Sequence, residues 1–255
     1  MKVVNCFPSP PQNSLARLMR QLSDLQKFGS EWVKDLPAQE VFIARTDKLL
    51  DNKHTLLRNV VLSKGGMPIP LVLVSPSGIH LIYTSTLKGV YRAKDDAWAV
   101  MDNRSQRFDA ASPNLVRRVL LMAEAISVFL LKHNQQIEVE PVLFLSQPGI
   151  HVDTIRPAVR VVLTDAVDRF IAGIIQSRPI LNVTTLEYLV SALSQHTTEQ
   201  LKEAAPPPGK ATIASGKRAV RAPGFRLTRP QWLVLGGMLV LEILIIVISI
   251  WIILL

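Results

Sequence analysis

Two periods of apolar residues run along this chain and divide it into helices and strands. Leu15, Leu18, Leu22 and Leu25 recur at helical spacing behind Asn13 and Ser14, either of which can cap a helix, so a first helix is expected there. A weaker helical pattern covers residues 39–50. Three short apolar runs follow at 56–62, 69–75 and 79–84, separated by Lys64-Gly65-Gly66 and Pro76-Ser77-Gly78. Turns that short join antiparallel strands, so the runs read as hairpins. Two shorter strands, 90–92 and 98–101, flank the polar turn Lys94-Asp95-Asp96. Beyond Ser112-Pro113, Leu115, Val119, Met122, Ile126 and Leu130 share one face and predict a long helix. Residues 139–145 and 159–163 read as buried strands. Thr164 is expected to cap a helix through residue 175, and Thr184-Thr185-Leu186-Glu187 to open a last helix, as a capping box, to about residue 195. Strands, helix, strands and helices around one sheet make an α/β domain.

The pattern changes twice towards the C-terminal end. Residues 201–229 are rich in Pro, Gly, Ala, Lys and Arg, with Pro206-Pro207-Pro208-Gly209, Ser215-Gly216 and Pro223-Gly224 among them. With little apolar surface to bury, they read as an extended or disordered linker. From Trp232 to Leu255 the chain is apolar apart from one ionisable residue, Glu242. A helix of that length spans roughly 36 Å, against a hydrocarbon core of about 30 Å. One membrane-spanning helix is therefore expected over 230–255, opened by Pro230 and the interfacial Trp232. The expected organisation is an N-terminal helical segment 1–37, an α/β domain 38–200, a linker 201–229 and a single-pass tail anchor 230–255.

Composition agrees with this division. The mean hydropathy of +0.25 and the hydrophobic share of 48% are high for a chain without a membrane segment, and the excess sits in the expected anchor. The formal net charge is +9, and seven basic against two acidic residues from Lys202 onward account for +5 of it. Lys217, Arg218, Arg221, Arg226 and Arg229 stand where anionic lipid headgroups would attract them by about 1 kcal/mol each. Juxtamembrane Lys and Arg stay on the cytoplasmic side, which assigns the N-terminal domain to the cytoplasm. The first residues, MKVVNCFPSPP, are too short an apolar run and too proline-broken for a signal peptide. Nucleic acid is not the favoured partner for this charge, because no basic stripe with interleaved aromatics occurs in the domain. Cys6 is the one cysteine, so no internal disulfide forms, and the five histidines are scattered without metal-ligand spacing. No cofactor and no metal is expected.

The order of the elements and several local signatures resemble the nuclease-related (NERD) domain family over about residues 38–195. In the stretch VLVSPSGIHLIYTSTLKG, residues 72–89, Pro76-Ser77-Gly78 and Lys88-Gly89 match the family's Pro-x-Gly turn and Lys-Gly close. Trp98 matches its tryptophan, Ser112-Pro113 its Asn-Pro before the long helix, and 139–144 its later core strand. The resemblance implies a restriction-endonuclease-like mixed sheet flanked by helices. Nucleases of this class need carboxylates to hold a divalent metal and a lysine to orient or activate water. Here the family's acidic position falls on Pro70, its glutamate on Tyr83 and its lysine on Ser85, and Glu40 is the one carboxylate retained. The implied protein is a pseudo-enzyme: a membrane-tethered, catalytically degenerate domain acting as an interaction or assembly subunit of a membrane complex. The alternative is a membrane-associated nucleic-acid-binding or nuclease-related protein.

Other candidates read as structural. Asp95, Asp96, Asp102 and Asp109 fall in polar turns and read as solvated. Ser75, Ser77 and Ser85 lack a paired His and Asp in an elbow context. His80 lies in an apolar strand and reads as a hydrogen-bonded or surface histidine. Gly65-Gly66 lacks the lysine of a phosphate loop.

Glu242 is different. It lies about 15 Å into the expected anchor, where an acidic residue costs about 2.5–3.5 kcal/mol on insertion scales. Met238, Glu242 and Ser249 share one helix face, and Gly236-Gly237 permits close approach of a second helix. A membrane-protein partner or a second copy, hydrogen-bonded by Glu242, is therefore expected. Glu242→Leu should leave insertion intact and weaken co-purification with that partner or with itself, and Glu242→Gln should be milder. Identical crosslinking and native-gel migration for all three proteins would remove the assembly role.

Overall fold

Apolar side chains on both faces leave strands β3 (Ile69–Ser75) and β4 (Gly78–Ser85) no solvent side, and both are buried along their whole length. Strands of this kind belong at the centre of a sheet covered on both faces. The computed structural model, which describes residues 1–7, 32–63, 66–102 and 104–204, places them there. A six-stranded mixed sheet runs in the order β1 (Lys2–Asn5), β2 (Thr55–Val60), β3, β4, β8 (Val139–Leu145) and β10 (Arg160–Leu163). The β2–β3 and β3–β4 pairs are antiparallel, as expected of hairpins. The β1–β2, β4–β8 and β8–β10 pairs are parallel.

Alternation along the central strands sends side chains to two layers of helices. Val72, Val74, Leu81, Tyr83 and Leu143 pack with Ile126 and Leu130 of α2 (Leu115–Lys132) and with Leu189 and Leu193 of α4 (Val183–Ala204). Leu71, Leu73, Ile82, Val142 and Phe144 face the other way. They meet Phe42 of α1 (32–46) and Phe170, Ile171 and Ile174 of α3 (Val167–Gln176). The expected α/β architecture, a mixed sheet flanked by helices, is present.

A single sheet was expected, but there are two. β7 (Arg107–Ala110), β6 (Ala97–Asp102), β5 (Val90–Lys94) and β9 (His151–Ile155) form a second, four-stranded mixed sheet in that order. Its edge strands read RFDA and HVDTI and are largely exposed, so no apolar run marks them in the sequence. The parallel β5–β9 pair joins residues sixty apart, a partnership that local pattern does not encode.

Helix boundaries moved for identifiable reasons. α1 is already helical at Trp32, because Trp32 and Leu36 pack with Phe7 and Val61 in a small cluster of their own. The expected boundary between 37 and 38 therefore falls inside α1, and residues 2–5, in the segment expected to be helical, form β1 on β2. Thr164 caps no helix. Its hydroxyl donates to the carbonyls of Leu145 and Ser146, and a 3-10 turn, Thr164–Ala166, precedes α3. The cap of α4 is Asn182, whose Oδ1 accepts from the Thr185 N–H at 2.7 Å, and α4 runs on past 195 to Ala204. The helix expected behind Ser14, and the linker and anchor from residue 205 on, lie outside the described residues. Among the described residues no helix is long and apolar enough to cross a membrane.

Ile126 is wholly buried between α2 and the sheet, whereas Leu131 on the same helix is 56% exposed. Ile126→Ala should destabilise the domain by about 2–5 kcal/mol, as deletion of a packed side chain does. Leu131→Ala should change stability by less than about 0.5 kcal/mol. Urea unfolding of the two variants checks this, and equal losses would contradict the packing.

Candidate functional site

β4 outlasts its partner β3. Past the pair Leu71 and Ile82, β4 continues beside β8 alone, with Tyr83, Thr84 and Ser85 opposite Leu143, Phe144 and Leu145. Pro70 stands on β3 at the parting point, where it has no N–H to offer a ladder. On β2, Asn59 lies between the residues paired with Leu71 and Ile69 and has a φ of 58°, in the left-handed region. A cavity of about 350 Å³ lies on this stretch of β4. Lys34 and Asp35 of α1, Tyr83 and Ser85 of β4, Trp98 of β6 and Arg118 of α2 line it.

Two polar contacts fix the cavity's floor. Nη1 of Arg118 donates to the Tyr83 hydroxyl at 3.0 Å, with the guanidinium carbon 5.9 Å from the ring centre. Asp35 Oδ1 accepts from Ser85 Oγ at 3.2 Å, from Thr86 Oγ1 at 3.2 Å and from the Thr86 N–H at 2.9 Å. Tyr83 and Ser85 are both buried, so these bonds satisfy groups that water does not reach. On the far wall Tyr91 stacks on Trp98, with ring centres 4.9 Å apart and planes 11° from parallel. Burial raises the Tyr91 phenol pKa above its ordinary value. α2 starts behind its cap, Asn114, whose Oδ1 accepts from the Arg117 N–H and whose Nδ2 donates to the Asp96 carbonyl. The Ser112–Pro113 bond just before it is cis.

Of the positions singled out in the sequence, Tyr83 and Ser85 line the cavity and Pro70 marks where the strands part. Glu40 is elsewhere. It is an exposed residue of α1 whose Oε1 accepts from Arg58 Nη1 at 2.6 Å, beside the Arg58–Gln39 bond of 2.7 Å. The carboxylate that does reach β4 is Asp35, which sequence reasoning missed. It precedes Leu36-Pro37 in a stretch without helical apolar spacing, so nothing placed it on a helix. Among the described residues no group of His, Cys, Asp and Glu is arranged to hold a metal ion. Among the described residues, Asp35 is the one carboxylate on the cavity. Asp102 folds back on the Arg104 and Ser105 N–H groups, Asp95 and Asp96 are exposed in their turn, and Asp109 lies on the edge strand β7. The anchor positions Gly236, Gly237, Met238, Glu242 and Ser249, and the basic flank Lys217, Arg218, Arg221, Arg226 and Arg229, lie outside the described residues.

A second constellation was not foreseen at all. Register sets His80 of β4 opposite Glu140 of β8, and His80 Nδ1 lies 2.7 Å from Glu140 Oε2. His80 Nε2 lies 3.4 Å from Ser75 Oγ, giving a Ser–His–Glu chain, and Arg160 Nη1 donates to the other Glu140 oxygen at 3.1 Å. Its spacing resembles a hydrolytic triad. Ser75 is wholly buried, however, and its hydroxyl donates to the Gly78 carbonyl at 2.9 Å, so the oxygen has no approach for a substrate. The chain ties the β3–β4 turn to β8. That turn is also held by Ile180 and Leu181, whose N–H groups donate to the Pro76 carbonyl.

Residues 35–146 match the family model of the nuclease-related domain, NERD, a span just short of half the chain. It contains α1 from Asp35, all of β2 to β7, α2 and β8, and so every residue that lines the cavity except Lys34. No curated protein and no solved structure matches this chain.

The His80 hydrogen bond, aided by Arg160 and opposed by partial burial, holds the Glu140 carboxyl below its usual range. A carboxylate with a depressed folded pKa contributes stability above its unfolded pKa, about 4.3, and loses it as pH falls through the lower folded value. Glu140→Gln should therefore lower stability at neutral pH and flatten the acid limb of the unfolding curve below about pH 4.3. Unfolding curves from pH 7 to pH 3 check this, and parallel acid limbs would contradict it.

Proposed function

We propose that this protein is a membrane-tethered, catalytically degenerate nuclease-like domain that serves as an interaction or assembly subunit of a membrane complex. The reading rests on what stands at the centre of the cavity on β4. Tyr83, in the position of the family's glutamate, is bonded to a guanidinium, and Ser85, in the position of its lysine, is bonded to Asp35. A phenol and a hydroxyl are poor ligands for Mg²⁺, and one carboxylate already held by three donors leaves a divalent ion without its usual shell. What the domain retains is a folded, rigid surface.

The apolar run 230–255 supplies the tether in this reading, and the basic flank supports a cytoplasmic orientation. Such a tether would raise the domain's effective concentration towards any partner in the same membrane.

The purified chain should cleave neither single- nor double-stranded DNA with Mg²⁺ or Mn²⁺. Detergent-solubilised membranes should yield a stoichiometric protein partner. Metal-dependent cleavage lost on Asp35→Ala or Glu40→Ala would overturn the reading. The alternative, a membrane-associated nucleic-acid-binding protein, draws on the cations Lys34 and Arg118 at the cavity. Salt-sensitive DNA binding lost on Lys34→Gln would favour it.

A further inference from the structure

α2 is apolar on more than the side it buries. Val116, Val119, Ile126 and Leu130 face the sheet, while Leu121, Ala125 and Val128 form a second stripe at i, i+4 and i+7. Leu121 is 58% exposed and Val128 46%. Leu62 and Met67, from either side of the β2–β3 turn, and His196 of α4 face this stripe. The space between is a cavity of about 440 Å³ that shares Leu62, Ser63, Leu121 and Ala125 with a neighbouring one of about 580 Å³. Together they make one groove running along α2 from Arg118 to Lys132, about 20 Å long at the rise of an α-helix. That is the length of three to four helical turns, and an apolar trough of this form is what an amphipathic helix fills with side chains at i, i+3 or i+4, and i+7. Left open, it exposes contiguous apolar surface of the kind that marks an interaction site.

The rim carries charge of one sign at both ends. Arg117 is exposed at one end and Lys132 at the other, and among the described residues Glu124 is the one carboxylate on the groove wall. A second copy of α2 laid antiparallel would set Arg117 against Lys132, and a parallel one would set each against itself, so like charge opposes self-pairing. Resting on the interaction reading above, we propose that this groove takes an amphipathic helix of a partner protein, apolar along one stripe and flanked by carboxylates that meet Arg117 and Lys132.

The probe is a pair of synthetic helical peptides with one Leu stripe, flanked by Glu in one and by Lys in the other. Their binding to the full chain in nanodiscs is read by fluorescence anisotropy, with empty nanodiscs as the blank. The Glu-flanked peptide should bind at least about tenfold more tightly than the Lys-flanked one. Leu121→Asp should abolish binding, Leu131→Asp, outside the groove lining, should leave it unchanged, and Arg117→Glu with Lys132→Glu should reverse the preference. Equal affinities, or no saturable binding, overturn the proposal. So does a Leu121→Cys chain that forms disulfide-linked dimers or crosslinks to its own residues 8–31, since another occupant then covers the groove. A native partner that still co-purifies with the Leu121→Asp chain overturns the groove and leaves the interaction reading standing. A wild-type chain that binds the Glu-flanked peptide but brings down no native partner supports the groove and overturns that reading.

Discussion

Parallel strands cannot be joined by a tight turn, and the pairing of β4 with β8 therefore obliges the chain to leave the sheet and return through a long crossover. That detour is where most of this domain's character arises. It builds β5, β6 and β7 as a second sheet, then brings α2 back across the first. Because β8 follows β4 beyond the end of β3, Tyr83 and Ser85 are fixed in a ladder on one side and open to a cavity on the other. The same register sets His80 opposite Glu140 and locks the β3–β4 turn. Cavity, turn lock and the placement of α2 all follow from one ladder.

The polar side chains of β4 beside the cavity are held by hydrogen bonds to neighbouring helices. Clustered carboxylates repel one another unless a cation sits among them, and an empty metal site costs stability. Here each buried polar side chain on β4 beside the cavity has a neutral or oppositely charged partner: Tyr83 with Arg118, Ser85 with Asp35. Hydrogen bonds to charged groups contribute about 1.5–3 kcal/mol each, and a buried donor left unsatisfied costs a similar amount. A phenol and a hydroxyl at these two positions are thus compatible with a rigid core.

How much of this was legible in the sequence depended on how local the cause was. The apolar runs of β3, β4 and β8 and the 3.6 periodicity of α2 are local, and each appeared nearly residue for residue. β7 and β9 are short, polar edge strands defined by their neighbours, so their residues carry no such mark. Tyr83 and Ser85 could be named because family motifs surround them. Asp35 could not, because its role comes from where α1 crosses β4, and the stretch before Pro37 shows no helical spacing. The Ser75–His80–Glu140 chain was invisible for a similar reason: two of its members lie sixty residues apart and meet only through parallel register.

The cavity on β4 and the groove along α2 meet on one helix. Arg118 lines both the cavity on β4 and the near end of the groove, with its Nη1 donating to the Tyr83 hydroxyl. One turn further along α2, Leu121 turns its apolar side chain to the groove. The Arg118–Tyr83 bond therefore anchors the start of the helix whose outer stripe a partner would read. This bond holds the helix in place, and a rigid helix face loses less conformational entropy on binding than a mobile one. Under the proposed tether, weak complementarity along such a face would be sufficient, because tethering turns a bimolecular encounter into one at high effective concentration.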